Sequence, residues 1–307
     1  MVGNYHEAYV KATYRFEKIY FFPMNTPQIH QQTGLGILAI LTSSISVNAG
    51  AAFAKHLFPL IGAFGMTSLR IGFAAVILLL ICRPWRKFPN AQNLKIIAIY
   101  GVILGLMNLL IYQAFARIPI GIAIAIEILG PLGVVLASAR RVIDFVWFIL
   151  ALVGLSLFLP LQTHDAALDG VGILFAIGAA IAWACYILVG KKLSTDSTLN
   201  TVAIGMFIAA CVAAPFGIIE AGSALFSPSI LFMGLMVALF SSALPFPLEM
   251  IALKCLPTHI FSIIVSASPV IAALCGWAIL GEALLLHQWI AIFLIVIAIA
   301  GSTFKQS

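Results

Sequence analysis

Ten apolar stretches long enough to cross a bilayer lie near residues 34–55, 62–82, 95–116, 118–138, 143–160, 170–190, 200–219, 229–250, 257–280 and 287–304. A helix rising 1.5 Å per residue needs about 20 apolar residues to span the hydrocarbon. No water reaches backbone N–H and C=O groups there, so each stretch has to pair its own backbone, and continuous runs of this length do so as helices. Hydrophobic residues make up 63% of the chain and charged residues 8%, whereas a soluble domain is about half apolar and about a quarter charged. A soluble domain is excluded. The expected fold is an all-α polytopic protein of ten transmembrane helices embedded in a lipid bilayer.

Residues 1–33 stand apart. Tyr5, His6, Lys11, Arg15, Glu17 and Lys18 interrupt any apolar run, and no small-residue cleavage site follows a hydrophobic segment, so this is not a secretory signal. Residues 19–24 are too short to span. The reading is a tail ahead of the spans, with Met24 as the preferred translation start.

The basic residues carry an orientation. With the N-terminus in the cytoplasm, the inner segments collect Lys11, Arg15, Lys18, Arg83, Arg86, Lys87, Lys95, Arg140, Arg141, Lys191, Lys192, Lys254 and Lys305, which is 13 of the 16 Lys and Arg. The outer loops hold only Lys55 and Arg117, beside Asp165, Asp169, Glu220 and Glu282, and Arg70 alone lies inside a span. This bias predicts both termini in the cytoplasm. The net charge of +6 is therefore a topology signal rather than the mark of a nucleic-acid partner, since no basic run is present. Cys82, Cys185, Cys211, Cys255 and Cys275 show no C-x-x-C spacing, so neither a metal site nor a disulfide framework is expected. No cofactor-binding motif appears.

The chain also repeats itself. Ile118-Pro119, Gly130-Pro131 and Asp144 recur as Leu256-Pro257, Ser268-Pro269 and Glu282 at one offset of 138, and GLGIL at 34–38 recurs as GVGIL at 170–174 at an offset of 136. The units are 34–160 and 170–304. Five spans is an odd number, so the second unit enters the membrane from the opposite side, giving two inverted five-helix repeats. Inverted repeats are characteristic of alternating-access transporters, whose site lies near the midplane between the halves.

Charge inside a span costs about 2.5 to 3.5 kcal/mol at the bilayer centre, which makes Arg70, Glu127 and Glu249 functional candidates. Asn48 lies 7 residues in from Lys55, Arg70 lies 8 in from Gly62, Asn108 lies 8 in from Ala116 and Glu127 lies 8 in from Pro119. Four polar groups thus share a depth of about 12 Å. In the third span Gly101, Gly105, Asn108 and Tyr112 are spaced 4, 3 and 4, so they occupy one face, and the glycines admit a close neighbour. Asn108 and Tyr112 are either substrate contacts or a packing stripe with an amide cross-link. Trp183 and Tyr186 in the sixth span are candidate cavity aromatics, with plain packing or an interfacial belt as the competing reading.

Pro131 lacks an N–H, so the carbonyl of Glu127 four residues earlier loses its helical partner. A kink is expected at the buried carboxyl. Pro269 has the same relation to Val265, and Pro245 and Pro247 interrupt the eighth span before Glu249. Broken helices of this kind line cavities. Glu127 reads as a proton-coupling carboxylate or as a structural ion-pair partner of Arg70. Glu249, five residues from Lys254, reads as a second coupling carboxylate or as an interfacial group reaching for water. The six histidines lie in the tail, in loops or at span ends and receive no role.

The segments AKHLFPLIGA at 54–63 with SLR ending at Arg70, PIGIAIAIEILGPLGVVL at 119–136, RRVIDFVW at 140–147, ALPFPLEMIAL at 243–253 and LGE at 280–282 carry a resemblance. They resemble the EamA-type proteins of the drug/metabolite transporter superfamily, and more narrowly the RhtA-type threonine/homoserine exporters of bacterial inner membranes, over nearly the whole chain from residue 34. The resemblance implies a two-repeat exporter of small amino acids driven by proton exchange. Arg70, Glu127 and Glu249 fall inside matching segments. One departure stands out: the residue before the proline of the ninth span is often Glu in these exporters and here is Ser268, which removes one proton or substrate ligand.

The leading functional expectation is a secondary carrier in which Arg70 grips a substrate carboxylate, Asn48, Asn108 and Tyr112 add polar contacts, and Glu127 exchanges a proton. The same fold with another metabolite or drug as cargo is the second. A membrane enzyme would need a nucleophile with its base, a metal cluster or paired carboxylates, and no H-E-x-x-H or G-x-S-x-G motif is present. The G-x-x-x-x-G-K-[ST] loop of ATP-driven pumps is absent as well.

Overall fold

A computed structural model describes residues 29–86, 89, 91–137, 142–157, 169–190, 198–245, 248, 252, 255–256, 264 and 267–304. Among the described residues the regular structure is helical throughout: α1 (Ile29–His56), α2 (Phe58–Cys82), α3 (Ala91–Arg117), α4 (Ile120–Glu127), α5 (Leu129–Ala137), α6 (Val142–Ser156), α7 (Gly170–Gly190), α8 (Thr198–Ala221), α9 (Pro228–Ala238), α10 (Ser268–Cys275) and α11 (Leu286–Phe304). The segments Gly34–His56, Phe58–Cys82, Asn93–Arg117, Gly170–Gly190 and Asn200–Phe226 are each long and apolar enough to cross a membrane. α1 begins five residues before Gly34. Met24 and the rest of residues 1–28 lie outside the described residues, as does Glu249.

Other apolar stretches are made of shorter helices, and the breaks fall beside prolines or glycines. The fourth span divides into α4 and α5 at Ile128, directly after Glu127 and three residues before Pro131, where the lost hydrogen bond was expected. The eighth runs from α9 into a π-helical turn, Leu239–Ala243. In the ninth the expected mid-helix kink is replaced by a helix start: Pro269 stands in the first turn of α10, where a missing N–H costs little. Val265 lies outside the described residues. A second π-helical turn, Gly276–Leu280, follows α10 and ends at Gly281 in the left-handed region, φ 68°.

The outer helix surfaces are apolar, unlike those of a soluble protein. On α1, Leu35, Leu38 and Ile45 are exposed while Ser43, Ser46 and Asn48 are buried. Large apolar side chains facing outward are stable only against lipid, and small or polar ones allow close helix contact within. α2 packs along α8, α3 between α7 and α8, α4 against α10 and α7, α6 against α11, and α1 against α10 and both π turns. Contacts between elements before residue 160 and elements after 170 thus hold the bundle together. Gly101 and Gly105 make the close approach expected of them, and the neighbour is α8: a Cβ on Gly101 would stand 2.6 Å from the Gly205 carbonyl oxygen. All five cysteines are free thiols.

Charged groups gather at one end of the bundle. Lys55 Nζ lies 2.6 Å from Glu282 Oε1, and Arg117 Nε lies 3.5 Å from Asp169 Oδ2. Glu220 reaches the start of α2, where Gly62 breaks the helix with φ 72° and ψ 172°. Its Oε2 accepts the N–H groups of Phe64 at 2.7 Å and Gly65 at 3.1 Å. Only glycine fits at 62, because any Cβ would sit 2.0 Å from the Glu220 carboxyl carbon.

Candidate functional site

Gly62 and the Glu220 cap fix where the continuous part of α2 begins, and Arg70 follows two turns later. Its guanidinium reaches α3 in two ways. Nη2 donates to Asn108 Oδ1, and Cζ lies 4.8 Å from the centroid of the Tyr112 ring, a cation–π contact. Asn108 and Tyr112 are one turn apart on α3, so a single helix face presents both. Asn108 is oriented in turn by its own Nδ2, which donates to the Leu104 carbonyl at 2.8 Å. Tyr112 is packed between Phe58 and Phe115, with ring centroids at 5.8 and 5.4 Å. The guanidinium is thereby held from two sides while its Nε is buried without a hydrogen-bond partner.

Glu127 is the last residue of α4 and is 9% exposed. Among the described residues Arg70 and Glu127 form no ion pair, the pairs being Lys55–Glu282 and Arg117–Asp169. The Arg70 charge still acts on the Glu127 carboxyl through space, so the coupling and structural readings of Glu127 both stand. The carboxyl stands where the fourth span is broken.

Asn48, 2% exposed on α1, donates from Nδ2 to the Ser44 carbonyl at 2.8 Å, and its Oδ1 is buried without a partner. A donor on Arg70 and an acceptor on Asn48 are thus both left open. Trp183 and Tyr186 on α7 separate from one another. Trp183 packs at the margin of the main core, whereas Tyr186 stacks on Tyr100 of α3 with centroids 4.5 Å apart and hydroxyls in hydrogen-bond contact. Tyr186 belongs to a smaller cluster with Tyr100 and Leu104, apart from the one that contains Tyr112. The structure thus brings Arg70, Asn108 and Tyr112 together and takes Tyr186 elsewhere.

Sequence reasoning missed Glu220 and Ser68. Ser68 Oγ donates to the Ala213 carbonyl at 2.7 Å, pinning α2 to α8 half a turn before Arg70. An acidic residue at the end of the seventh apolar run was visible, but its target, the glycine break in the second, was not.

Long apolar helices that enclose charged and amide side chains define a multi-pass membrane protein. Comparison with known proteins narrows this. Residues 170–304 match the EamA-like transporter family. The threonine/homoserine exporters RhtA of Salmonella typhimurium (strain LT2) and Escherichia coli (strain K12) are each 44% identical over 270 residues, covering 88% of this chain and 91% of theirs. The chain belongs to the EamA-like transporter family. A solved crystal structure with 19% identity and a TM-score of 0.55, covering 90% of this chain and 97% of its own, shares the fold.

Proposed function

We propose that this protein is a secondary active exporter of small amino acids of the threonine/homoserine kind, working by alternating access and coupled to protons across a bacterial inner membrane. The observation that carries the reading is the Arg70 guanidinium, held by Asn108 and Tyr112, with a buried Nε that lacks a partner and no carboxylate paired to it among the described residues. A cation in a span is costly unless paired, and a substrate carboxylate supplies the missing anion through two parallel hydrogen bonds. Asn108 and Tyr112 shape this site, Asn48 offers an open acceptor, and Trp183 on α7 borders the core that contains Tyr112, while Tyr186 stands apart with Tyr100. Glu127 and Glu249 are the proton-exchanging carboxylates. The relatives' function as exporters supports transport rather than catalysis.

In this reading ten spans form two inverted repeats, 34–160 and 170–304, with both termini in the cytoplasm. The packing supports it. α2 lies on α8 and α6 on α11, which pairs the second span with the seventh and the fifth with the tenth, each with its own repeat counterpart. The test is counterflow of labelled threonine and homoserine in proteoliposomes, with and without an imposed pH gradient. Counterflow that responds to the gradient is expected. Its absence for every small amino acid, with uptake of another metabolite or drug instead, would move the cargo elsewhere on the same fold.

A further inference from the structure

Two carboxylates from the second half of the chain grip helix starts in the first half. Glu282 Oε2 accepts the Ile120 N–H at 3.0 Å, in the first turn of α4, and Glu282 Oε1 meets Lys55 Nζ at 2.6 Å. Lys55 Nζ also donates to the Ile118 carbonyl at 3.1 Å. One charge pair therefore ties together the end of α1, the start of α4 and the turn after α10. Glu220 makes the equivalent grip on α2 through the N–H groups of Phe64 and Gly65. The helices so capped are the two that carry Arg70 and Glu127.

The levels match. Asn48 lies 7 residues before Lys55, Glu127 lies 7 after Ile120 and Arg70 lies 6 after Phe64, so the ties sit about 10 Å along the helix axes from all three polar groups. The Lys55 and Glu282 side chains are 21% and 13% exposed. A pair this far removed from water is held as a unit or rehydrated as two separate ions, with little stability in between, which suits a two-state contact. Beneath it Ala51, Ala52 and Ala54 are buried, so the ties close over an apolar layer.

We propose that Lys55, Glu220 and Glu282 are the outer gate of this protein: positioning residues that clamp the outer ends of the spans while the site faces the cytoplasm and separate when it faces out. The proposal rests on the alternating-access reading with this end outward. The partners are not interchangeable, because Glu282 accepts a backbone N–H while Lys55 donates to a backbone carbonyl. Exchanging the two residues places a cation against the Ile120 N–H.

The test uses the full chain with its five cysteines replaced and Ala52→Cys introduced, one turn inward from Lys55. In intact cells a membrane-impermeant maleimide should label position 52 slowly in this parent. It should label roughly fivefold or more faster in Glu282→Gln and Lys55→Met, the scale of a typical coupling between two states. In inside-out vesicles the same variants should label position 52 no faster than the parent, because the population has moved outward. Lys55→Arg, which keeps the charge and the donors, should restore the parent rate. An unchanged external rate in Lys55→Met and Glu282→Gln overturns the gate, and so does equal acceleration from both faces, which is loosened packing. Threonine counterflow by the parent is measured in parallel. Counterflow with unchanged labelling removes the gate alone, whereas a parent without counterflow removes the carrier reading and the gate with it.

Discussion

The Arg70 guanidinium lies over the Tyr112 ring, its Cζ 4.8 Å from the ring centroid, and donates to Asn108 Oδ1 one turn away on the same helix. The guanidinium is thus held by two neighbours, and its buried Nε has no hydrogen-bond partner. An ammonium cannot stack and present a fork together. Arg70→Lys should lower transport by roughly 10- to 100-fold, the worth of charged hydrogen bonds at about 1.5–3 kcal/mol, with membrane abundance near normal. Efflux rates and immunoblots of the same membranes check this. Unchanged rate and affinity would show that Arg70 is not the carboxylate clamp.

For Glu127 one substitution separates a coupling role from a structural partnership with Arg70. Glu127→Gln keeps the shape and fixes the neutral state. The expected outcome is a well-expressed protein that exchanges substrate but no longer follows a pH gradient, with gradient-driven flux reduced at least about tenfold, in line with the loss of a proton-transfer group. Abundance and flux are measured in one preparation. A well-expressed variant that still follows the gradient eliminates Glu127 as the coupling residue.

Two glycines three residues apart on α5 should behave in opposite ways. A Cβ on Gly130 would lie 2.0 Å from the Ala180 carbonyl oxygen, which is backbone and cannot yield, whereas a Cβ on Gly133 meets nothing within 4 Å. Gly130→Ala should destabilise by about 1–3 kcal/mol or more. Gly133→Ala should be neutral or gain up to about 1 kcal/mol of helix propensity. Thermal melting in detergent distinguishes them, and equal melting temperatures would contradict the packing of α5 against α7.

The topology follows from charge placement. Single cysteines at positions 165 and 282 should be labelled from outside intact cells, and those at 86 and 141 should not, because only this orientation leaves 13 of 16 basic residues within. The reverse pattern sinks the assignment.

Much of this was legible along the chain because the membrane is a solvent with a fixed thickness. Hydropathy over about 20 residues sets where a helix is needed, and Pro131 marks where it breaks whatever packs against it. Asn108 and Tyr112 share a face by helical periodicity alone, and a common depth placed Arg70 at their level. What only the tertiary structure decided is which helix each side chain meets. Lys55 and Glu282 stand 227 residues apart, Glu220 and Phe64 156 apart, and nothing in their local sequences names the partner. Tyr186 shows the same limit: periodicity put it near Trp183, and packing gave it to Tyr100. Burial in lipid is decided residue by residue along one helix, whereas pairing is a property of two surfaces, and those surfaces exist only once α2 lies on α8 and α4 on α10.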